Sequence, residues 1–250
     1  MKKSIKQNFP KLWRQARSLY KLSEAVFDLR DYGVYTYYEE LDVIFISISK
    51  NANTTINRMF FDKLGLPYDP DDYHSIHRYK SKHLNLTQKE FLEMDTIDTF
   101  VFAFSRNPLT RLISCYNNKI CNEHYWNIHE NYFGYFYPSM PFEKFARRVC
   151  KIPDWYADGH FLSQTNSIFP KNVNKLDYLG KVESFSEDIS LIINKFDLPK
   201  YKCTNRSRKS DYNLQRYYTK EIIEDVYDRY KQDFKKLDYQ NEYEKARKSL

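Results

Sequence analysis

The sequence predicts an α/β fold: a central parallel β-sheet flanked by helices. Three observations carry that class. Two short, nearly continuous apolar runs, LDVIFISIS (41–49) and DTFVFAFSR (98–106), have the composition of strands covered on both faces. Each is followed at once by a helical apolar pattern, and strands alternating with helices imply crossovers and parallel pairing. Only 5 glycines occur in 250 residues, which argues against a loop-rich, Gly-punctuated architecture.

Taken in order, residues 9–30 read as an amphipathic helix, with Leu12, Leu19, Leu22, Val26 and Leu29 near one face and Lys and Arg opposite. Packing on the core is its expected use, and contact with an acidic membrane surface is the alternative. Residues 1–40 together form an N-terminal helical extension in this reading. After the 41–49 strand, Thr54–Leu64 carries Ile56, Met59, Phe60 and Leu64 at helical spacing, and Gly65 with Pro67 stops it. Residues 66–86 are polar, hold three histidines and read as a loop. Thr87 and Glu90 make a capping box for a short helix. Pro108 suits a first helical turn, and 109–121 supplies Leu112, Ile113 and Tyr116.

Residues 122–160 read as an insertion, aromatic and irregular over 122–140 and helical over 141–150. KLDYLGKVESF (175–185) reads as a third strand, with Ser184 and Glu187 capping a helix over 186–196. The basic stretch 204–218 shows no periodicity. Thr219 then opens a last helix with Ile222, Ile223, Val226, Tyr230 and Phe234 on one face. No linker is visible, so residues 1–250 are expected to form a single domain.

The formal net charge of +7 concentrates anionic partners without identifying them. Cys115, Cys121, Cys150 and Cys203 form no C-x-x-C pair and no zinc spacing, so free thiols and no metal are expected. The basic N-terminus lacks a continuous apolar stretch, and no window approaches the roughly 20 apolar residues of a membrane span. A reducing, cytoplasmic setting is the expectation, with peripheral membrane contact through the basic N-terminal helix left open.

The chemistry concentrates at strand ends. The first strand runs into Ser-Lys-Asn-Ala-Asn-Thr-Thr (49–55) and then a helix. A helix N-terminus after a parallel strand gathers unpaired N–H groups and positive dipole. Lys50 adds a full charge, and Thr54 and Thr55 add hydroxyls, a set suited to phosphate or sulfonate. A nucleoside-triphosphatase loop needs G-x-x-x-x-G-K-[ST]. Here Lys50 precedes Thr54 by four residues, glycine is lacking, and the second strand ends in Ser105-Arg106 rather than an aspartate. Arg106 therefore puts a second cation at a second strand end, with Ser114 eight residues on. Two such cations fit a ligand with two separated anionic groups, and the planar guanidinium suits a terminal phosphate.

SKNANTT and FAFSRNPLTRLISCYN together resemble the two cofactor signatures of the carbohydrate sulfotransferases, which use 3′-phosphoadenosine 5′-phosphosulfate (PAPS). YLGKVESFSEDISLIINKFDL is similar to that family's strand and helix around a Glu, and residues 205–239 resemble its terminal loop and helix. The resemblance spans 43–239 and is thinnest over 66–97 and 122–160. It implies a P-loop-like sulfotransferase fold and transfer of a sulfuryl group from PAPS to a carbohydrate hydroxyl, on a polysaccharide or glycolipid, without metal. It implies that Lys50, Asn51, Ala52, Asn53, Thr54 and Thr55 hold the 5′-phosphosulfate, Lys50 neutralising charge on the leaving oxygen. Arg106 and Ser114 would hold the 3′-phosphate, and Ser207 with Arg208 would close over the cofactor. His83 and His160 are the candidates for the general base, and 122–160 becomes an acceptor-side segment. Ser49 stands where the family usually has Pro, and Asn53 where it often has Gly; Asn53 can supply the left-handed backbone instead.

Two other classes compete. A P-loop-type kinase needs a magnesium carboxylate near the second strand, and none is evident. A non-catalytic binder of acidic glycan or nucleotide would use the basic surface, yet the cations sit at strand ends rather than in one basic tract. Nucleic acid is not an expected partner, and the product implied is adenosine 3′,5′-bisphosphate.

Overall fold

The computed structural model describes residues 15–20, 22–23, 32–72, 74–121, 132, 134–201 and 213–250. Its elements, in chain order, are β1 (Val34–Tyr38), β2 (Val43–Ser47), α1 (Asn53–Lys63), α2 (His74–His83), β3 (Asn85–Leu86) and α3 (Gln88–Glu93). There follow β4 (Phe100–Ser105), α4 (Pro108–Lys119), α5 (Phe142–Cys150), α6 (Gln164–Ile168), β5 (Tyr178–Lys181) and α7 (Phe185–Phe196). The chain closes with α8 (Lys220–Arg229), α9 (Lys231–Lys236) and α10 (Gln240–Ser249). Read as one domain, the chain clusters into two compact units that alternate along the sequence. Asp31–Asn107 with Ser163–Tyr212 makes a sheet unit; Met1–Arg30, Pro108–Leu162 and Asn213–Leu250 make a helical unit.

The sheet unit bears out the α/β class. Its five strands lie in the order β3-β1-β2-β4-β5, with β2, β4 and β5 parallel. β1 runs antiparallel to both β2 and β3, so the parallel core carries a hairpin at one side. Every residue of β2 is buried, as the apolar run requires of a strand covered on both faces. One face meets α1, α2 and α7 through Val43, Phe45, Phe102 and Phe104, packed with Ile56, Phe60, Ile76, Ile189 and Ile192. Aromatic rings dominate this core: Tyr38 stacks on Phe60 at 4.5 Å and Phe45 on Phe102 at 4.9 Å.

Several local expectations change. The helical extension over 1–40 cannot reach its stated end, because Val34–Tyr38 is a strand. That run of tyrosines alternates too weakly in polarity to look like one. The amphipathic helix expected over 9–30 is described only at 15–20 and 22–23, which are helical; Leu19, expected on the packed face, is exposed there. The loop over 66–86 contains α2, whose buried residues are Ile76 and Lys80, so its inward face shows no apolar period. Thr87 does form the capping box, accepting from the Glu90 amide at 3.2 Å while Glu90 reaches back to the Thr87 amide at 2.7 Å. Ser184 does not cap α7 with its side chain; its hydroxyl donates to Asp188 instead, at 2.8 Å.

The helical unit packs α5 against α4 and α8, burying Phe145, Val149, Ile222 and Val226. Thr219 caps α8, accepting from the Ile222 amide at 3.4 Å. The single terminal helix expected there breaks at Tyr230, whose hydroxyl donates to the Phe161 carbonyl at 2.6 Å. Asp154 pairs with Arg229 in the same unit. Tyr132 is buried with its ring edge-on to Phe136, a core role; residues 122–131 and Phe133 lie outside the described residues. Cys115, Cys121 and Cys150 are free thiols, and burial pushes the Cys150 thiol up to about 12. No helix among the described residues is long and apolar enough to cross a membrane.

Candidate active site

The site grows from the ends of two adjacent parallel strands, where open α/β sheets place their ligands. β2 ends at Ser47, and the Asn51 amide donates back to the Ile48 carbonyl at 3.1 Å, closing a tight turn. Lys50 and Ala52 both take positive φ, 74° and 59°, and Asn53 is already the first residue of α1. The left-handed positions are therefore Lys50 and Ala52, not Asn53. No side chain caps α1, and the Ile56 amide donates to the Ala52 carbonyl at 3.2 Å. The amides of the first turn are of the kind that lacks an intrahelical acceptor and suits an anion, and they lie beside the half-buried Thr54 and buried Thr55.

Arg106, at the end of β4, is 3 % exposed, and its Nη1 donates to the Lys50 carbonyl at 3.1 Å. The two cations singled out in the sequence thus sit on directly bonded segments. What binds those segments is a pair of amides. Asn51 turns inward: its Nδ2 donates to the Phe104 carbonyl at 2.6 Å and to Gln164 Oε1 at 2.7 Å. Gln164, fully buried at the start of α6, also accepts from the Arg106 amide at 2.9 Å and donates to the Arg106 carbonyl at 2.8 Å. The third parallel strand joins in, since Glu183 beyond β5 accepts from the Asn107 amide at 2.9 Å. Asn51 was expected to face the cofactor; its side chain is committed to this bracing and its amide N–H to the Ile48 carbonyl.

The remaining candidates are described within their own units. His83, at the exposed end of α2 in the sheet unit, has its ring 4.6 Å from that of Tyr79. Ser114 is buried on α4 of the helical unit. His160, also in the helical unit, is half-buried with Nδ1 2.6 Å from Asp158 Oδ1. A carboxylate on Nδ1 fixes the tautomer and leaves Nε2 as the basic nitrogen. Ser207 and Arg208 lie outside the described residues.

Sequence reasoning missed two groups. Lys80 is buried on α2, donates to Ser47 Oγ at 3.0 Å, and burial lowers its amine to about 7. Its only signal is its position four residues after Ile76, on the same helical face. Gln164 follows the candidate base His160 by four residues, but nothing local marks an amide as a brace. Among the described residues no group of His, Cys, Asp and Glu could hold a metal ion.

Residues 35–240 match the model of the Sulfotransferase family. No curated protein and no solved structure matches the chain. The match begins in β1 and ends at the first residue of α10, taking in β2, its loop, α1 and the Arg106 strand end in the P-loop-like arrangement that the family implies. The chain belongs to the sulfotransferase family, enzymes that transfer a sulfuryl group.

Proposed function

We propose that this enzyme transfers the sulfuryl group of PAPS to a hydroxyl of a carbohydrate acceptor, a polysaccharide or glycolipid. The observation that carries the donor assignment is the bond between Arg106 and the Lys50 loop at the ends of two parallel strands. It supports a ligand with two anionic ends, as PAPS has, over one with a single phosphate chain. The donor set fits such a ligand: helix amides without a side-chain cap, two hydroxyls, an ammonium and a guanidinium.

When bound, the donor supplies the sulfuryl group and an adenosine bisphosphate leaving group. Lys50 places its ammonium to stabilise negative charge that grows on the leaving oxygen, an electrostatic role. Thr54, Thr55 and the loop amides after Asn51 hold the 5′ end, and Arg106 with Ser114 holds the 3′-phosphate. Ser207 and Arg208 are proposed to close over it. Of the two histidines, His160 is favoured as the proton acceptor, because Asp158 orients its ring while His83 has no such partner in the bonds described.

Calorimetry with adenosine 3′,5′-bisphosphate, without magnesium, tests the reading. Wild type should bind in the micromolar range, and Arg106→Ala should abolish that binding. Lys50→Ala should bind with a smaller loss, yet its sulfuryl transfer to a carbohydrate panel should fall by roughly 10²–10³. Equal affinity of wild type for adenosine 5′-phosphate would overturn the donor assignment. Transfer to none of the glycans tested would overturn the acceptor assignment alone.

A further inference from the structure

Gln164 makes three hydrogen bonds to the two anion-binding segments and contributes no charge to them. Its Oε1 accepts from the Arg106 amide and from Asn51 Nδ2, at 2.9 and 2.7 Å, while its Nε2 donates to the Arg106 carbonyl at 2.8 Å. Only one orientation of the amide satisfies all three, since the flipped group would set NH₂ against two donors. The pairing with Arg106 copies a strand partner: one residue's N–H and C=O are both met by a single side chain. Asn51 carries the connection on to the Phe104 carbonyl in β4, and Arg106 Nη1 returns it to the Lys50 carbonyl. Lys50, Asn51, Gln164 and Arg106 therefore form a closed ring of bonds within the sheet unit.

We propose that Gln164 is a positioning residue that fixes the spacing between the Lys50 loop and Arg106, and so sets the preference for a ligand with two phosphates over one with a single phosphate. This rests on the donor assignment proposed above. A ligand with two anionic ends gains from both segments only if they already stand at the right separation; otherwise ordering them offsets the second contact. A ligand with one phosphate engages one segment and is indifferent to the separation. The bracket is fully buried and neutral, so it holds the geometry without competing for the anions.

The test measures adenosine 3′,5′-bisphosphate and adenosine 5′-phosphate separately, by calorimetry on the full chain. Gln164→Met keeps the volume and removes all three bonds. Its preference for the bisphosphate should drop by about tenfold or more relative to wild type, with adenosine 5′-phosphate affinity changed less than about threefold. A residue that merely stabilises the fold would lower thermal stability and weaken both ligands alike; an unchanged ratio overturns the proposal. Should Gln164→Met not fold, Asn51→Ser, which cuts the arm to Gln164 and Phe104, carries the same comparison. A wild type that does not prefer the bisphosphate overturns the donor assignment itself, a result distinct from an unmoved ratio in the variants.

Discussion

Lys80 shows how much one side chain can set at the residue scale. Burial alone lowers its amine from the ordinary lysine range to about 7, and it donates to a neutral hydroxyl, that of Ser47. A group whose folded pKa lies below its unfolded value binds fewer protons when folded. Stability therefore rises with pH from about 7 towards the unfolded lysine value near 10.4, and the burial cost is greatest below pH 7. Lys80→Met should accordingly be more stable than wild type at pH 6 in urea denaturation, with the gap shrinking as pH rises towards 10. A gap that is constant across pH would mean that Lys80 is not the titrating group. Residues differ in what the sequence reveals of them. Lys50 and Arg106 stood out because a cation after a buried strand is a local pattern. Gln164 and Lys80 did not, since their roles depend on partners 58 and 33 positions away. The same gap explains Asn53: the sequence offers the residue best suited to a left-handed turn, but the chain's path puts that turn at Lys50 and Ala52.

Elements follow a similar rule. β2 and β4 were legible because strands buried on both faces have few polar residues to confuse the pattern, and the Thr87 and Thr219 caps because their partners lie three residues away. β1 and α2 were not, as tyrosines and a buried lysine took the places where aliphatic residues would have revealed the period. The β4–β5 pairing depends on a residue with no side chain. A Cβ on Gly180 would lie 2.4 Å from Phe104 Cε1, and that ring is fully buried. Gly180→Ala must displace Phe104 from the core, an overpacking cost of about 1–3 kcal/mol. Chemical denaturation should show that loss, and Phe104→Leu in the same background should recover part of it. No recovery would place the strain elsewhere.

At the scale of the whole molecule, the family match covers stretches of both units, so the sulfotransferase assignment does not depend on the loop alone. A ligand that binds only the folded chain stabilises it by about 2.7 kcal/mol at 100 times its Kd. Adenosine 3′,5′-bisphosphate should therefore raise the unfolding temperature clearly, and adenosine 5′-phosphate at the same concentration far less. Equal shifts would speak against recognition of the 3′-phosphate. The sheet unit is assembled from two stretches of chain, 31–107 and 163–212, with 108–162 between them. That interruption has a consequence in time. Gln164 lies 113 positions after Asn51, so at about 5–20 residues per second of synthesis, roughly 6–23 s separate the two on the ribosome. During that interval the nascent chain holds the lysine loop, and soon the arginine, but not the residue that joins them. Capture of the nucleotide thus waits for the second half of translation, and a chain that stops before residue 164 has both grips without their frame.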